Sequence, residues 1–292
     1  MDTVHVYAPA NLALAAYDRL ASRLLEKSRS IISVLEGRME RVIVIWMATI
    51  IVLGSLKIAL STLQFASSLA VLKAMVPYLA IALAPVLGYR VATGSFPRNS
   101  LLSQPAIRLC RYGSWAHVDP IDAQKHSFYG SVGFMASLVI GILMNVPLRA
   151  IEFALSVPAM APQAPSWAHA LMCAMAVDVI VMSFFYIICF VMALRAVPMF
   201  PRMIVFVWCV DIGSQMIIAQ YLAIQPGLPA DVGRNLHALL EGNIQKTLIS
   251  ACIWFPYLIV SARVNITFRN RIRVKNNSDK RSWFNNQYFS IR

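Results

Sequence analysis

Apolar runs as long as a bilayer is thick are the feature that most limits what this chain can become. They lie near residues 42–62, 69–89, 127–148, 168–194, 203–222 and 246–262, and each holds at most one Asp, Glu, Lys or Arg. An α-helix rises about 1.5 Å per residue, so about 20 residues cross a hydrocarbon core about 30 Å thick. A water-soluble fold would have to hide every one of these runs and lacks the polar surface to do so. Its residues are 59% hydrophobic and 13% charged, against roughly 45–50% and about 25% in soluble domains. The expectation is an all-α, polytopic membrane helical bundle of about six spans.

The stretch from Val42 to Tyr89 is too long for one straight span, so a hairpin is expected, turning around Gln64–Ser67. Lys57 and Lys73 would then approach the outer headgroups, where their stems can snorkel. Pro77 and Pro85 would kink the second arm, which membrane helices tolerate. The charges agree with this count. Placing the N-terminus, residues 90–126, residues 195–202 and the C-terminal tail on one side gives that side 21 of the 26 Lys and Arg and 8 of the 13 Asp and Glu, the whole net charge of +13. The opposite loops balance Arg149, Arg234 and Lys246 against Glu152, Asp231 and Glu241. An excess of Lys and Arg marks cytoplasmic loops, so both termini are expected inside.

Five segments follow: an amphipathic cytoplasmic N-terminal helix (1–41), a transmembrane hairpin (42–89), a basic cytoplasmic loop (90–126), a four-helix transmembrane domain (127–270) and a basic, disordered tail (271–292). In the first, Ala13, Tyr17, Leu20, Leu24, Ile31 and Leu35 fall on one helical face, with Arg19, Arg23, Lys27, Arg29 and Arg38 opposite. Such a helix beside a span is expected to lie on a membrane surface, the alternative being to pair with a partner helix. The basic balance therefore points to anionic lipid headgroups as partners and not to nucleic acid. No cleavable leader is expected, because the first apolar run begins only after a long charged stretch.

Two carboxylates stand out, either as an ion or ligand site or as hydrogen-bonding ties between helices with no transport role. Asp178 and Asp211 each sit mid-span, where an ionised side chain costs about 2.5–3.5 kcal/mol on even the mildest scale and usually faces a bundle interior. Ser214 and Gln215 share the face of Asp211 by their spacing, and Tyr186 lies two turns from Asp178. A second candidate cluster, Asn145, Arg149 and Glu152, is expected at the outer mouth of the third span. Five cysteines and five histidines show no metal-ligand or disulfide spacing, and no nucleotide, protease or hydrolase motif is present. No cofactor is expected.

The segment from Ile249 to Phe268 contains Trp254, Pro256, Tyr257, Ser261, Arg263, Val264, Thr267 and Phe268 in a W-x-P-Y…S-x-R-V-x-x-T-F pattern. Over roughly residues 127–270 the chain resembles the DUF2569 family, bacterial four-span membrane proteins of unknown function. Phe200-Pro201 and Val146-Pro147-Leu148-Arg149 are also similar to that family. The sequence departs from it at Tyr129-Gly130-Ser131-Val132-Gly133, where the family opens on Gly-Gly-Trp, and at Ala262, where a lysine is frequent. The resemblance implies a bacterial inner-membrane location and a helical membrane architecture, and carries no catalytic residue. The motif's aromatic rings, proline and Arg263 read as structural anchoring, with ligand binding the alternative.

Two functions remain open from the sequence. One is a non-enzymatic accessory or scaffold protein that binds lipid and a membrane partner or a second copy of itself. The other is a small-solute or proton-coupled transporter using Asp178 and Asp211.

Overall fold

A computed structural model describes residues 23, 25–61, 67–98, 102–105, 114–160 and 163–273. The expectations for residues 1–22, for the turn at 62–66 and for the tail beyond 273 lie outside them. Among the described residues the chain is an α-helical bundle. Residues 25–37 form α1. The long helices are α2 (Met39–Ala59), α3 (Ser68–Ser95), α5 (Phe134–Ser156), α6 (Ser166–Leu194), α7 (Phe200–Ala223) and α8 (Ala230–Val260), with short helices α4 (Pro120–Lys125) and α9 (Ala262–Arg269). Five of the long helices are individually long and apolar enough to cross a membrane. The sixth, α8, meets that measure together with α9, from which it is bent by 71°. This is a multi-pass membrane architecture.

Side-chain ties give the direction of each helix. Glu40, at the start of α2, forms two 2.7 Å hydrogen bonds with Arg90 near the end of α3, so these two helices are an antiparallel hairpin. Arg195, just after α6, caps the end of α3 by donating to the carbonyls of Thr93, at 2.8 Å, and Phe96. Ser131, before α5, donates to the carbonyl of Ala193 at the end of α6. Phe134 at the start of α5 packs on Trp254 and Tyr257 near the end of α8. These contacts gather the start of α2, the ends of α3, α6 and α8, and the start of α5 at one face. At the opposite face Lys57 donates to the carbonyl of Ala154, and Lys246 to Glu152.

The face first described also carries the non-membrane elements. Strand β1 (Trp115–His117) pairs antiparallel with β2 (Arg271–Arg273), Ala116 opposite Ile272. The loop and the tail that share the basic charge are thus physically joined. On α1, the half-buried Leu25, Ile32 and Leu35 flank the buried Ser28, whose hydroxyl accepts from the Gly133 N–H at 2.8 Å. The face turned to the protein is therefore rotated from the expected one, and Ile31 and Val34 are exposed. Leu24 lies outside the described residues.

Helix α6 is the centre of the bundle, packing on α3, α5 and α7. Its apolar stretch is 61% buried, against 17% for α2 at the periphery. Close approach needs small residues, because lipid tails are as apolar as leucine and helices associate largely through packing. Gly54 and Gly88 provide it: a Cβ at Gly54 would meet the Tyr78 ring at 2.8 Å, and one at Gly88 would meet the backbone oxygen of Phe184 at 2.9 Å.

Several boundaries differ from those expected. The second span runs on to Ser95 and not to residue 89, taking the first residues of the expected loop into the helix. The third span runs from Phe134 to Ser156 and not over 127–148, because Gly130 and Gly133 take left-handed conformations (φ 98° and 66°) that hold the preceding residues in turns. Pro147 does not end it, since one missing backbone N–H leaves the remaining ladder intact. Helix α8 starts at Ala230, well before residue 246, its first turns carrying the exposed Asp231, Arg234 and Glu241. Lys57 is half-buried and bound to a helix-end carbonyl rather than snorkelling to headgroups.

The Gly88 contact is with backbone, which cannot rotate away. Gly88→Ala is expected to destabilise the bundle by about 1–3 kcal/mol, the usual cost of overpacking, while Gly94→Ala, whose Cβ would meet nothing within 4 Å, leaves the melting temperature in detergent unchanged.

Candidate functional site

Helix geometry alone brings Asp178 to the inner face of α6 and Asp211 to that of α7. Both helices are flanked by apolar residues on every other side, so the only place to put a carboxylate is against a neighbouring helix. Asp178 is 5% exposed and Asp211 fully inaccessible. What joins them is Arg149 of α5. Its Nη1 donates to Asp178 Oδ2 at 2.8 Å, and its Nη2 donates to Asp211 Oδ1. One guanidinium is clasped between two carboxylates from two further helices, with its carbon 5.9 Å from the centre of the Tyr186 ring.

Each remaining carboxylate oxygen has two donors. Asp178 Oδ1 accepts from the Ser214 hydroxyl at 2.8 Å and the Gln215 amide at 2.9 Å. Asp211 Oδ2 accepts from the Tyr186 hydroxyl at 2.6 Å and the Thr247 hydroxyl of α8 at 3.0 Å. Four helices, α5 to α8, therefore contribute to one polar core. Buried charges persist only when paired and hydrogen-bonded in this manner.

The network continues outward along α8. Asn243 Nδ2 donates to Gln215 Oε1 at 3.3 Å, and Lys246 Nζ donates to Asn243 Oδ1 at 3.4 Å and to Glu152. An ammonium can only donate. Lys246 thus fixes Asn243 with its oxygen outward, Asn243 fixes Gln215 with its oxygen toward α8, and the Gln215 amide is left pointing at Asp178. The chain of polar groups ends at the rim, where the Lys246 side chain is 65% exposed. Beside it, a cavity of about 360 Å³ lies between the end of α5, α6 and the first half of α8; Met175 and Leu239 line it, one turn from Asp178 and Asn243 respectively.

Asp178, Asp211, Ser214 and Gln215, the four residues singled out on the fourth and fifth spans, do meet. The outer-mouth cluster does not form. Arg149 is drawn inward to the aspartates, Glu152 pairs with Lys246, and the half-buried Asn145 joins neither. The physical reason is charge: a cation within reach of two buried carboxylates gains more there than beside one exposed glutamate. Thr247 and Asn243 were not singled out. Their spacing of four on α8 is the available signal, and Asn243 falls before the apolar run that marks the sixth span in the sequence.

The motif around Trp254 lies elsewhere, at the bend between α8 and α9. Trp254 and Tyr257 pack on Phe134, with ring centroids 4.8 and 5.0 Å away. Pro256 lies within α8 and Ser261 stands at the bend. Arg263 donates to the carbonyl of Phe128, Thr267 accepts from the Gly130 N–H at 3.0 Å, and Phe268 stacks on Phe200 at 5.0 Å. Trp254, Tyr257, Arg263, Thr267 and Phe268 thus fasten the elbow to the start of α5, to the turn before it or to the start of α7. No family model matches the chain, and no curated protein or solved structure matches it.

Removing the guanidinium strands two carboxylates in the core. Arg149→Met is expected to cost about 3–5 kcal/mol, the penalty of breaking a buried pair, seen as a large fall in melting temperature of the purified protein. Glu152→Gln, at a half-exposed pair, is expected to cost no more than about 1 kcal/mol.

Proposed function

We propose that this is a multi-pass protein of a bacterial inner membrane whose bundle core takes up and releases a proton, and that it acts as a proton-coupled carrier of a small solute. The observation behind this reading is the stoichiometry of the buried cluster: two aspartates and one arginine. A clamp serving only to hold helices together is complete with one carboxylate for one guanidinium. The second leaves a negative charge unbalanced in the buried core, and one proton neutralises it. Ionisable residues in a bundle interior mark ion pathways and proton relays.

The donor set decides which oxygen carries that proton. Guanidinium and amide N–H groups cannot become acceptors. They hold Asp178 Oδ2, Asp178 Oδ1 and Asp211 Oδ1. Asp211 Oδ2 alone has only hydroxyl donors, from Tyr186 and Thr247, and a hydroxyl can turn and accept. A proton on Asp211 Oδ2 therefore displaces no fixed donor. It removes the charge that attracts Arg149 to α7 while leaving the pair with Asp178 on α6. The tie between α5 and α7 loosens and that between α5 and α6 stays, which is a two-state element of the kind that alternating access requires.

The accessory or scaffold reading draws support from the basic loop and tail, joined at one face through β1 and β2. It leaves the second aspartate without a purpose, and we rank it behind the carrier. The resemblance to DUF2569 is compatible with either.

Proteoliposomes holding the full chain and a pH-sensitive dye test the proposal. A solute gradient from a panel of small metabolites is expected to drive proton movement with the wild type and none with Asp211→Asn, which stays folded with Arg149 on Asp178. Proton movement at the wild-type rate in Asp211→Asn, or none in the wild type with any solute, overturns it.

A further inference from the structure

On the side of α5 turned away from the aspartates, a groove of about 440 Å³ opens between α2, α3 and α5. Its lining is apolar throughout, with Val42, Trp46 and Leu53 on α2, Tyr89 on α3, and Val146 and Ile151 on α5 among the residues that face it. From Met39 to Leu53 it follows α2 for fourteen residues, about 21 Å at the helical rise. This is the length of an extended acyl chain and not of a compact metabolite.

What stands at its head is charged. Arg38, Val42, Ile45, Thr49 and Leu53 follow one another at spacings of four, three, four and four, so Arg38 tops the same helical stripe that lines the groove. Arg41 shares a face with Ile45. Both arginines are exposed, and neither has an ion-pair partner among the described residues, while the neighbouring Arg90 is occupied by Glu40 and Arg98 by Glu36. The groove floor is prearranged: the Trp46 indole N–H donates to the Ala82 carbonyl at 3.0 Å, and the Thr49 hydroxyl to Ile45 at 2.8 Å, so neither side chain turns a polar atom to the occupant.

We propose that this groove binds one acyl chain of an anionic phospholipid of the basic-side leaflet, whose phosphate-bearing headgroup sits against Arg38 and Arg41. A guanidinium offers a phosphate paired N–H donors, and the apolar length below gives the tail a fixed place. The observations separate this from general solvation of the bundle by lipid: the exposed Val44, Val52 and Leu56 of α2 stand outside this groove, and a second groove along α2, lined by Ser55, Ile58, Ala59 and residues of α3, has no arginine or lysine in its lining.

Trp46 serves as the reporter. The full chain is reconstituted in phosphatidylcholine vesicles containing a small fraction of phosphatidylglycerol brominated on its acyl chains, and the fluorescence lost in a Trp46→Phe variant isolates the contribution of Trp46. Phosphatidylglycerol is expected to quench that contribution several-fold more than the same fraction of brominated phosphatidylcholine. In Arg38→Gln, Arg41→Gln, which alters only exposed side chains, the two lipids should quench alike. In Thr49→Trp, which fills the groove, the advantage of the anionic lipid should also vanish. Equal quenching by both lipids in the wild type overturns the proposal, as does a preference that survives removal of both arginines. Absence of quenching by either lipid, the result of a groove covered by a protein helix, overturns it too.

Discussion

A guanidinium held between two carboxylates, in a medium that offers no water, dictates how four helices of this protein can face one another. Arg149, Asp178 and Asp211 come from α5, α6 and α7, and Thr247 of α8 closes the set. In water such groups could pair or separate at little cost. Inside a bilayer each must meet its partners, because an unpaired charge there costs several kcal/mol. Rotating α5, α6 or α7 by a quarter turn would take a charge from its partners. The apolar side chains around them, by contrast, gain little from one orientation over another, since lipid and leucine are alike in polarity. Orientation is thus carried by a few polar atoms, and closeness by glycines such as Gly54 and Gly88.

The architecture was largely legible because its cause is one-dimensional. Twenty apolar residues in a row need a bilayer whatever surrounds them, and the alternating charge of the loops does not depend on packing. The hairpin formed by α2 and α3 is there, with Glu40 and Arg90 tying its open end. What sequence could not deliver was the end of α5 or the start of α8. Both depend on compensation from elsewhere. Pro147 and Arg149 look like a helix terminus until two aspartates on other helices are found waiting for the arginine. The polar first half of α8 looks like a loop until it is seen standing against α6, where Val232, Leu236 and Leu239 pack beside Leu171 and Met175.

The candidate site was half legible for the same reason. A carboxylate in the middle of an apolar span announces itself, and Ser214 and Gln215 follow from helical spacing. The counter-charge does not announce itself, because Arg149 lies near a span end where an arginine is ordinary. Two intramembrane carboxylates require a cation, and Lys57, Lys73 and Arg149 are among those within or beside the spans. Of these, Lys73 is exposed and Lys57 binds a helix-end carbonyl. The motif near Trp254 shows the converse. Its pattern of aromatic, proline, arginine and threonine residues has the appearance of a binding site, yet Trp254, Tyr257, Arg263, Thr267 and Phe268 fasten the 71° elbow between α8 and α9.

Helix α5 connects the two proposed activities. Arg149 points to the aspartates, while Pro147 and Ile151, two residues to either side, line the groove between α2 and α3. Residues two apart on a helix lie on nearly opposite faces, so one turn of α5 serves the charged core on one side and the lipid-facing groove on the other. Pro147 lacks the N–H that would bind the carbonyl one turn before it, which leaves α5 free to flex at this level. If a proton on Asp211 releases Arg149 from α7, the movement open to α5 is toward α2, where contact is sparse compared with its packing on α6. That movement narrows the groove. A lipid chain held there would resist it, so occupancy of the groove and protonation of the core are opposed through a single helix, and each must weaken the other by the same factor.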